Sequence, residues 1–141
     1  MSGLLELSLV DAKGLESTDI FGKMDPYVLI EYKDQKLKSK VAKGQGNNPV
    51  WNEKFTLWAQ YPEEDDQYNL ILRIMDKDKF CKDDFVGEVR IAMKEMVRIG
   101  INEGTVDTQP RTYNVVNSKG ASSGELQVRL ALTRKSLQGR E

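Results

Sequence analysis

The chain of 141 residues contains no histidine and a single cysteine, Cys81. Histidine is the commonest general base and the commonest transition-metal ligand, so its absence argues against most enzymatic chemistry. A lone cysteine permits no internal disulfide bond and is typical of a reducing compartment. We therefore expect a cytoplasmic protein that is not an enzyme.

Long hydrophobic runs are also missing, and nothing in the chain approaches the roughly 18 apolar residues of a membrane span. The first residues lack the charged start and apolar stretch of a signal peptide. The formal net charge is −1, so no overall electrostatic field selects a partner. Any anionic partner must therefore be recognised by a local cluster of positive charge.

Short segments rich in apolar and β-branched residues alternate with Gly, Pro, Asn and Asp, which is typical of an all-β protein. This spacing favours an eight-stranded antiparallel β-sandwich, formed by one domain over residues 1–132 with a polar tail at 133–141. One or two helical turns are expected at 93–99. The eight strands are expected at residues 5–9, 27–32, 36–41, 53–58, 70–74, 86–91, 112–116 and 125–132.

The strand count also predicts which loops share an end of the sandwich. Successive connections in an antiparallel sandwich emerge at alternating ends, so the loops at 11–26, 42–52 and 76–85 should meet. The acidic run at 63–66 falls at the opposite end, where it is most simply a solvated loop.

Five aspartates fall in two of the three loops predicted to meet. So many carboxylates in one place repel one another, and a hard divalent cation with oxygen ligands is the usual compensation. The alternative is that aspartate merely forms turns and caps in these loops. An EF-hand at 76–87 is excluded, since its sixth and twelfth positions are Cys81 and Gly87 rather than Gly and Glu. The candidate metal ligands are Asp19, Asp25, Asp76, Asp78 and Asp84.

Three separated motifs in a fixed order make the chain resemble a C2 domain over residues 3–132. They are DPYV at 25–28, NPVWNE at 48–53, and DKD at 76–78 followed by DFVG at 84–87. The chain is most similar to the small plant single-C2 proteins of the elicitor-responsive and phloem group. One strand before the first acidic loop resembles the type II topology of this fold.

The resemblance implies that the five aspartates hold two calcium ions, with the backbone carbonyls of Ile20 and Lys77 completing the coordination. Cys81 stands where some C2 domains have a serine that supports a further ion, which leaves a third calcium open. It also implies that the apolar loop-tip residues Ile20 and Phe80 dip into a bilayer.

A second cluster is basic, with five lysines against one aspartate between residues 33 and 43, a net charge of +4. Residues Lys36, Lys38 and Lys40 alternate along one strand, so their side chains share a face. The resemblance implies that this face contacts phosphoinositide headgroups. The alternative is a solvated sheet face whose lysines protect an edge strand.

Together these features predict a monomeric calcium-dependent module that binds anionic phospholipid membranes in signalling, trafficking or plant defence. We expect recruitment from the cytoplasm to the plasma membrane when calcium rises. The alternative is an RNA- or protein-binding trafficking adaptor of the phloem type. The chain contains no RNA-binding motif and is not basic overall, which disfavours RNA.

Overall fold

Nine β-strands and one helix form within residues 1–18 and 22–135, the part of the chain that the computed structural model describes. All eight expected strands are present. The additional strand, β7, spans three residues, which is too short to give an alternating pattern in the sequence. The elements are β1 Ser2–Lys13, β2 Pro26–Tyr32, β3 Gln35–Lys38, β4 Val50–Gln60, β5 Asn69–Asp76, β6 Asp84–Ala92, α1 Lys94–Glu103, β7 Thr105–Asp107, β8 Arg111–Val116 and β9 Ser122–Lys135.

Most elements run further than the sequence predicted, including the helix and β9. The helix continues to Glu103 rather than 99 and ends where Gly104, at φ 100°, donates its N–H to the carbonyl of Gly100. Glycine adopts this backbone conformation without steric cost, so it terminates the helix. Strand β9 continues to Lys135, three residues past the expected end at Leu132. No helix among the described residues is long and apolar enough to cross a membrane.

The strands form two antiparallel layers, ordered β3-β2-β5-β6 and β8-β9-β1-β4, with β7 beside β9. A single residue pair between β6 and β8, Glu88 with Val116, joins the two layers along one side. The predicted all-β sandwich is therefore confirmed. One strand precedes the first acidic loop and β9 pairs with β1, which is the type II arrangement.

The core lies between the layers and follows the period of two expected for half-buried strands. Alternate residues of β1 and β5 are fully buried, and they belong to one hydrophobic cluster. Burial of each such leucine or isoleucine contributes about 1.5–3 kcal/mol, so these rows fix the register of both layers. The two rows are Leu5, Leu7 and Leu9 on β1 and Leu70, Leu72 and Ile74 on β5.

The side opposite the β6–β8 pair is closed by a side chain instead of by strand pairing. The Gln35 amide on β3 donates from Nε2 to the carbonyl of Trp58 on β4, at 2.8 Å. Its Oε1 accepts the N–H of Trp58 at 2.7 Å. One glutamine side chain therefore makes the two hydrogen bonds that a paired strand residue would make, and it links the edge strands of the two layers.

Hydrogen bonds confirm that the three predicted loops, with observed bounds 14–25, 39–49 and 77–83, meet at one end. The N–H of Leu15 bonds to the carbonyl of Asn47 at 3.1 Å, and the N–H of Lys77 bonds to the carbonyl of Asp25 at 3.0 Å. We refer to this as the loop end of the sandwich.

The acidic run at 63–66 lies at the opposite end, as predicted, but it is not simply solvated. Lys33 Nζ lies 3.5 Å from Glu63 and 2.6 Å from Asp65, and Lys94 Nζ lies 2.8 Å from Asp66. Three of its four carboxylates are therefore paired with lysines of neighbouring elements.

Candidate metal centre and adjacent surfaces

Asp76, the last residue of β5, lies at the centre of the loop end. In the strand register it falls between Pro26 of β2 and Asp84 of β6, and its side chain is 2% exposed. Its Oδ1 accepts the N–H of Asp25 at 2.8 Å, and its Oδ2 accepts the Thr18 hydroxyl at 2.9 Å. This buried carboxylate therefore holds the loop at 14–25 against the end of β5.

Asp25 extends the same connection to the second loop. Its Oδ1 accepts the N–H of Gly44 at 2.6 Å, and its carbonyl accepts the N–H of Lys77. All three loops therefore meet at Asp25, whose side chain is only partly buried.

The other two described candidates belong to the third loop and the strand that follows it. Asp78 Oδ1 accepts the N–H groups of Phe80 at 2.9 Å and Cys81 at 3.1 Å, which shapes the turn at 78–81. Asp84 is exposed at the start of β6, beside Asp76 in the register. Asp84 therefore lies next to Asp76 at the loop end, while the Asp78 carboxylate is engaged by the turn of its own loop.

The donor set that this end offers is made of oxygen atoms, which suits calcium. Asp19 and Ile20 lie outside the described residues. Within residues 1–18 and 22–135, no group of three or more His, Cys, Asp or Glu side chains is arranged to hold a metal ion. The five-aspartate ligand set and the carbonyl of Lys77 therefore stay predictions.

Asp83 is a further acidic residue of this site, and the sequence pattern gave no signal for it. Its Oδ1 accepts the N–H of Asp78 at 2.9 Å, its Oδ2 accepts the Tyr27 hydroxyl, and Lys77 Nζ lies 3.8 Å away. The Asp78 amide, followed by the Tyr27 hydroxyl, lowers the pKa of Asp83. Burial, with a smaller contribution from Asp83, raises the pKa of Tyr27 to about 12.

Removal of the Tyr27 hydroxyl should loosen the third loop without disturbing the core. Tyr27→Phe keeps the buried ring but deletes the bond to Asp83. We expect a small decrease in melting temperature and faster hydrogen exchange at the Asp78 amide, because Asp83 then keeps only the Asp78 amide and the Lys77 ammonium as partners. An exchange rate at Asp78 equal to that of the wild type would show that the hydroxyl does not order this loop.

The three predicted lysines are exposed, but the strand that carries them is shorter than expected. It ends at Lys38 rather than 41, because the Ser39 hydroxyl takes the Val28 N–H at 2.8 Å in place of a backbone carbonyl. Lys40 then turns toward β4 and donates its backbone N–H to Glu53. Lys38 Nζ lies 5.0 Å from the Tyr27 ring centre, and Lys36 Nζ lies 3.9 Å from Glu31.

Phe80 is 92% exposed at the tip of the third loop. Its neighbours Lys79, Cys81 and Lys82 are also exposed. The ring therefore does not pack on the sandwich, although its role at a membrane stays a prediction.

Comparison with known proteins places the chain in a family. The model of the C2 domain matches residues 3–112. The chain belongs to the C2 domain family. Its similarity to 16 kDa phloem protein 1 of Arabidopsis thaliana is 46% identity over 125 residues, covering 88% of this chain and 80% of that protein. The C2 fold thus accounts for both the two layers and the three loops at one end.

Two solved structures resemble this C2 domain in fold and sequence. A C2 domain-containing protein from a putative elicitor-responsive gene is 38% identical, with a TM-score of 0.69 over 99% of this chain and 93% of that one. A calcium-bound structure of the paired C2 domains of Extended-Synaptotagmin 2 is 28% identical, with a TM-score of 0.69 over 92% of this chain and 45% of that one. The resemblance to the elicitor-responsive and phloem group is therefore confirmed.

Proposed function

We propose that this C2 domain binds anionic phospholipid membranes through its loop end when calcium is present. The observation that carries the proposal is the third loop, which exposes the Phe80 ring and bonds the Phe80 N–H to the carboxylate of Asp78. Support also comes from Extended-Synaptotagmin 2, a related C2 structure that is calcium bound.

The five aspartates and the carbonyls of Ile20 and Lys77 would hold two calcium ions, and a third stays open at Cys81. Bound calcium supplies positive charge that offsets the carboxylates and leaves coordination positions for lipid phosphate oxygens. The hydrogen bonds that link Asp25, Asp76 and Lys77 hold the first and third loops together, which supports a site shared by the two loops.

The apolar and basic groups of the chain supply the remaining attraction. Phe80 and Ile20 enter the interface, while Lys36, Lys38 and Lys40 attract anionic headgroups, including phosphoinositides. Basic side chains near an anionic membrane contribute about 1 kcal/mol each and are screened by salt. The domain then acts as a monomer in signalling, trafficking or defence, moving from the cytoplasm to the plasma membrane when calcium rises.

Sedimentation with liposomes tests this function directly. The domain is mixed with vesicles of phosphatidylcholine and phosphatidylserine in calcium or in a calcium chelator, and parallel samples with single-stranded RNA are run on a native gel. We expect calcium-dependent sedimentation and no RNA shift. Sedimentation that is equal with calcium and chelator contradicts the calcium switch. An RNA shift without liposome binding favours the adaptor alternative.

The three lysines in and just after β3 should govern the salt dependence of membrane binding and not calcium affinity in solution. Replacing Lys36, Lys38 and Lys40 by Ala should weaken binding to phosphoinositide vesicles, with a larger loss at low ionic strength than at high, because screening already suppresses exposed charge. Calcium titration in the absence of vesicles should be unchanged.

A matched triple variant controls for total charge in that experiment. Alanine at Lys54, Lys94 and Lys135 removes the same three charges away from β3. If the two triple variants bind vesicles equally at every salt concentration, the lysine face is only solvated surface.

A further inference from the structure

A groove of about 910 Å³ lies at the end of the sandwich opposite the loop end. It is formed where the β2–β3 turn approaches the end of β4 and the loop at 61–68. The proposed membrane function uses none of these residues. A partner in this groove would be held on the side of the domain that faces away from a bound membrane.

An exposed tryptophan forms part of the groove wall. Trp58 is 53% exposed, while its strand neighbours Leu57 and Ala59 face the core. The Gln35 amide bonds to both the N–H and the carbonyl of Trp58, so the backbone that carries the indole is held in place. Tryptophans in such half-open, rigid positions are frequent energetic centres of protein interfaces.

The groove is acidic, and the cations around it are already paired with carboxylates. Lys33 is paired with Glu63 and Asp65, and Arg90 bonds to Glu88 at 2.5 Å. The wall carries four carboxylates and two cations, a net charge of −2. The carboxylates are those of Glu31, Asp34, Glu63 and Asp65.

We propose that this groove binds a cationic segment of a partner protein, with an arginine stacked on the Trp58 indole. A guanidinium combines attraction to an aromatic face with N–H groups that match carboxylate oxygens. Asp34, exposed in the two-residue turn between β2 and β3, supplies one such carboxylate. The same negative charge repels nucleic acid phosphates, so the groove selects a basic protein and not RNA.

The chain contains two tryptophans, and they report on opposite ends of the domain. Trp51 donates its indole N–H to the carbonyl of Pro26, next to Asp25, at 3.2 Å. In a ¹H–¹⁵N spectrum the two indole signals therefore distinguish binding at the loop end from binding at the groove. The probe is the peptide acetyl-Gly-Arg-Gly-Arg-Gly-amide, and its control carries glutamate in place of both arginines.

We expect the arginine peptide to move the Trp58 indole and Asp34 amide signals while the Trp51 indole stays in place. Trp58→Thr should weaken binding about tenfold, as loss of an aromatic anchor does. Asp34→Asn should weaken it about threefold, the scale of an exposed ion pair. The matched control Asp66→Asn, at the same end but outside the groove wall, should bind as the wild type does.

Three results would overturn the proposal. The two peptides shift the signals equally, millimolar arginine peptide shifts only the Trp51 end, or an oligouridylate moves Trp58 as the arginine peptide does. The wild-type titration decides these points even if Trp58→Thr fails to fold. Failure of liposome binding would not change the peptide result, since the Trp58 signal reports on the groove and the Trp51 signal reports on the loop end.

Discussion

Calcium is expected to raise the melting temperature of the wild-type domain, and Asp76→Asn with Asp78→Asn is expected to abolish that rise. A ligand that binds only the native state stabilises it by about 2.7 kcal/mol at a hundredfold excess over Kd. For a domain of this size, each kcal/mol corresponds to roughly 4 °C. The expected shift in the wild type is therefore on the order of 10 °C.

The hydrogen bonds of Asp76 and Asp78 explain why the double variant should still fold. An amide at position 76 keeps one oxygen for the Asp25 N–H, and its NH₂ group can donate to the Thr18 hydroxyl. An amide at position 78 keeps the acceptor for both Phe80 and Cys81. Relief of carboxylate repulsion should even stabilise the calcium-free fold slightly, so the loss should be confined to the calcium-dependent part.

Differential scanning fluorimetry with millimolar calcium or chelator measures both effects. The control is Asp34→Asn with Asp66→Asn, which makes the same change of charge at the opposite end and should retain the full calcium shift. A wild-type melting temperature that does not change on addition of millimolar calcium would contradict the calcium hypothesis.

Phe80→Ala should weaken calcium-dependent liposome binding by about tenfold, because complete burial of a phenylalanine in apolar surroundings contributes on the order of 1.5–3 kcal/mol. At 92% exposure the ring has no core contacts to lose, so calcium binding in solution and the melting temperature should hardly change. Insertion should require calcium, because the ring lies between Asp78 and Asp84 and would otherwise carry uncompensated carboxylates toward hydrocarbon.

Fluorescence of Phe80→Trp observes the insertion directly, after subtraction of the wild-type spectrum of Trp51 and Trp58. We expect a blue shift that requires both calcium and liposomes. A difference spectrum that is already blue-shifted in the calcium-free protein without lipid would mean that the side chain packs on the sandwich. The insertion hypothesis would then be wrong.

The sequence predicted the sandwich and the meeting of its loops because both depend on patterns that repeat along the chain. Alternation placed Leu5, Leu7 and Leu9 in the core, and strand parity brought Asp25 and Asp76 to one end. Family motifs added a candidate role for each aspartate, which no periodicity supplies.

Features made by single side chains across distant segments could not be predicted in this way. The bond from Tyr27 to Asp83, the early end of β3 at Ser39 and the bridge from Gln35 to Trp58 join residues with no shared pattern. Asp83 follows a lysine in a charged loop, so its sequence context resembles ordinary solvated surface. Such contacts emerge only once the register of several strands is known.

The Gln35 bridge has a consequence for how the domain behaves in a crowded solution. Edge strands β3 and β4 would each present unpaired N–H and C=O groups, and such rows template pairing between separate molecules. The Gln35 amide bonds to the N–H and the carbonyl of Trp58, so these two edge groups are not available to another molecule. A residue at position 35 that cannot both donate and accept a hydrogen bond would leave the facing edges of β3 and β4 exposed. Such a substitution should lower the solubility of the domain more than its folding stability.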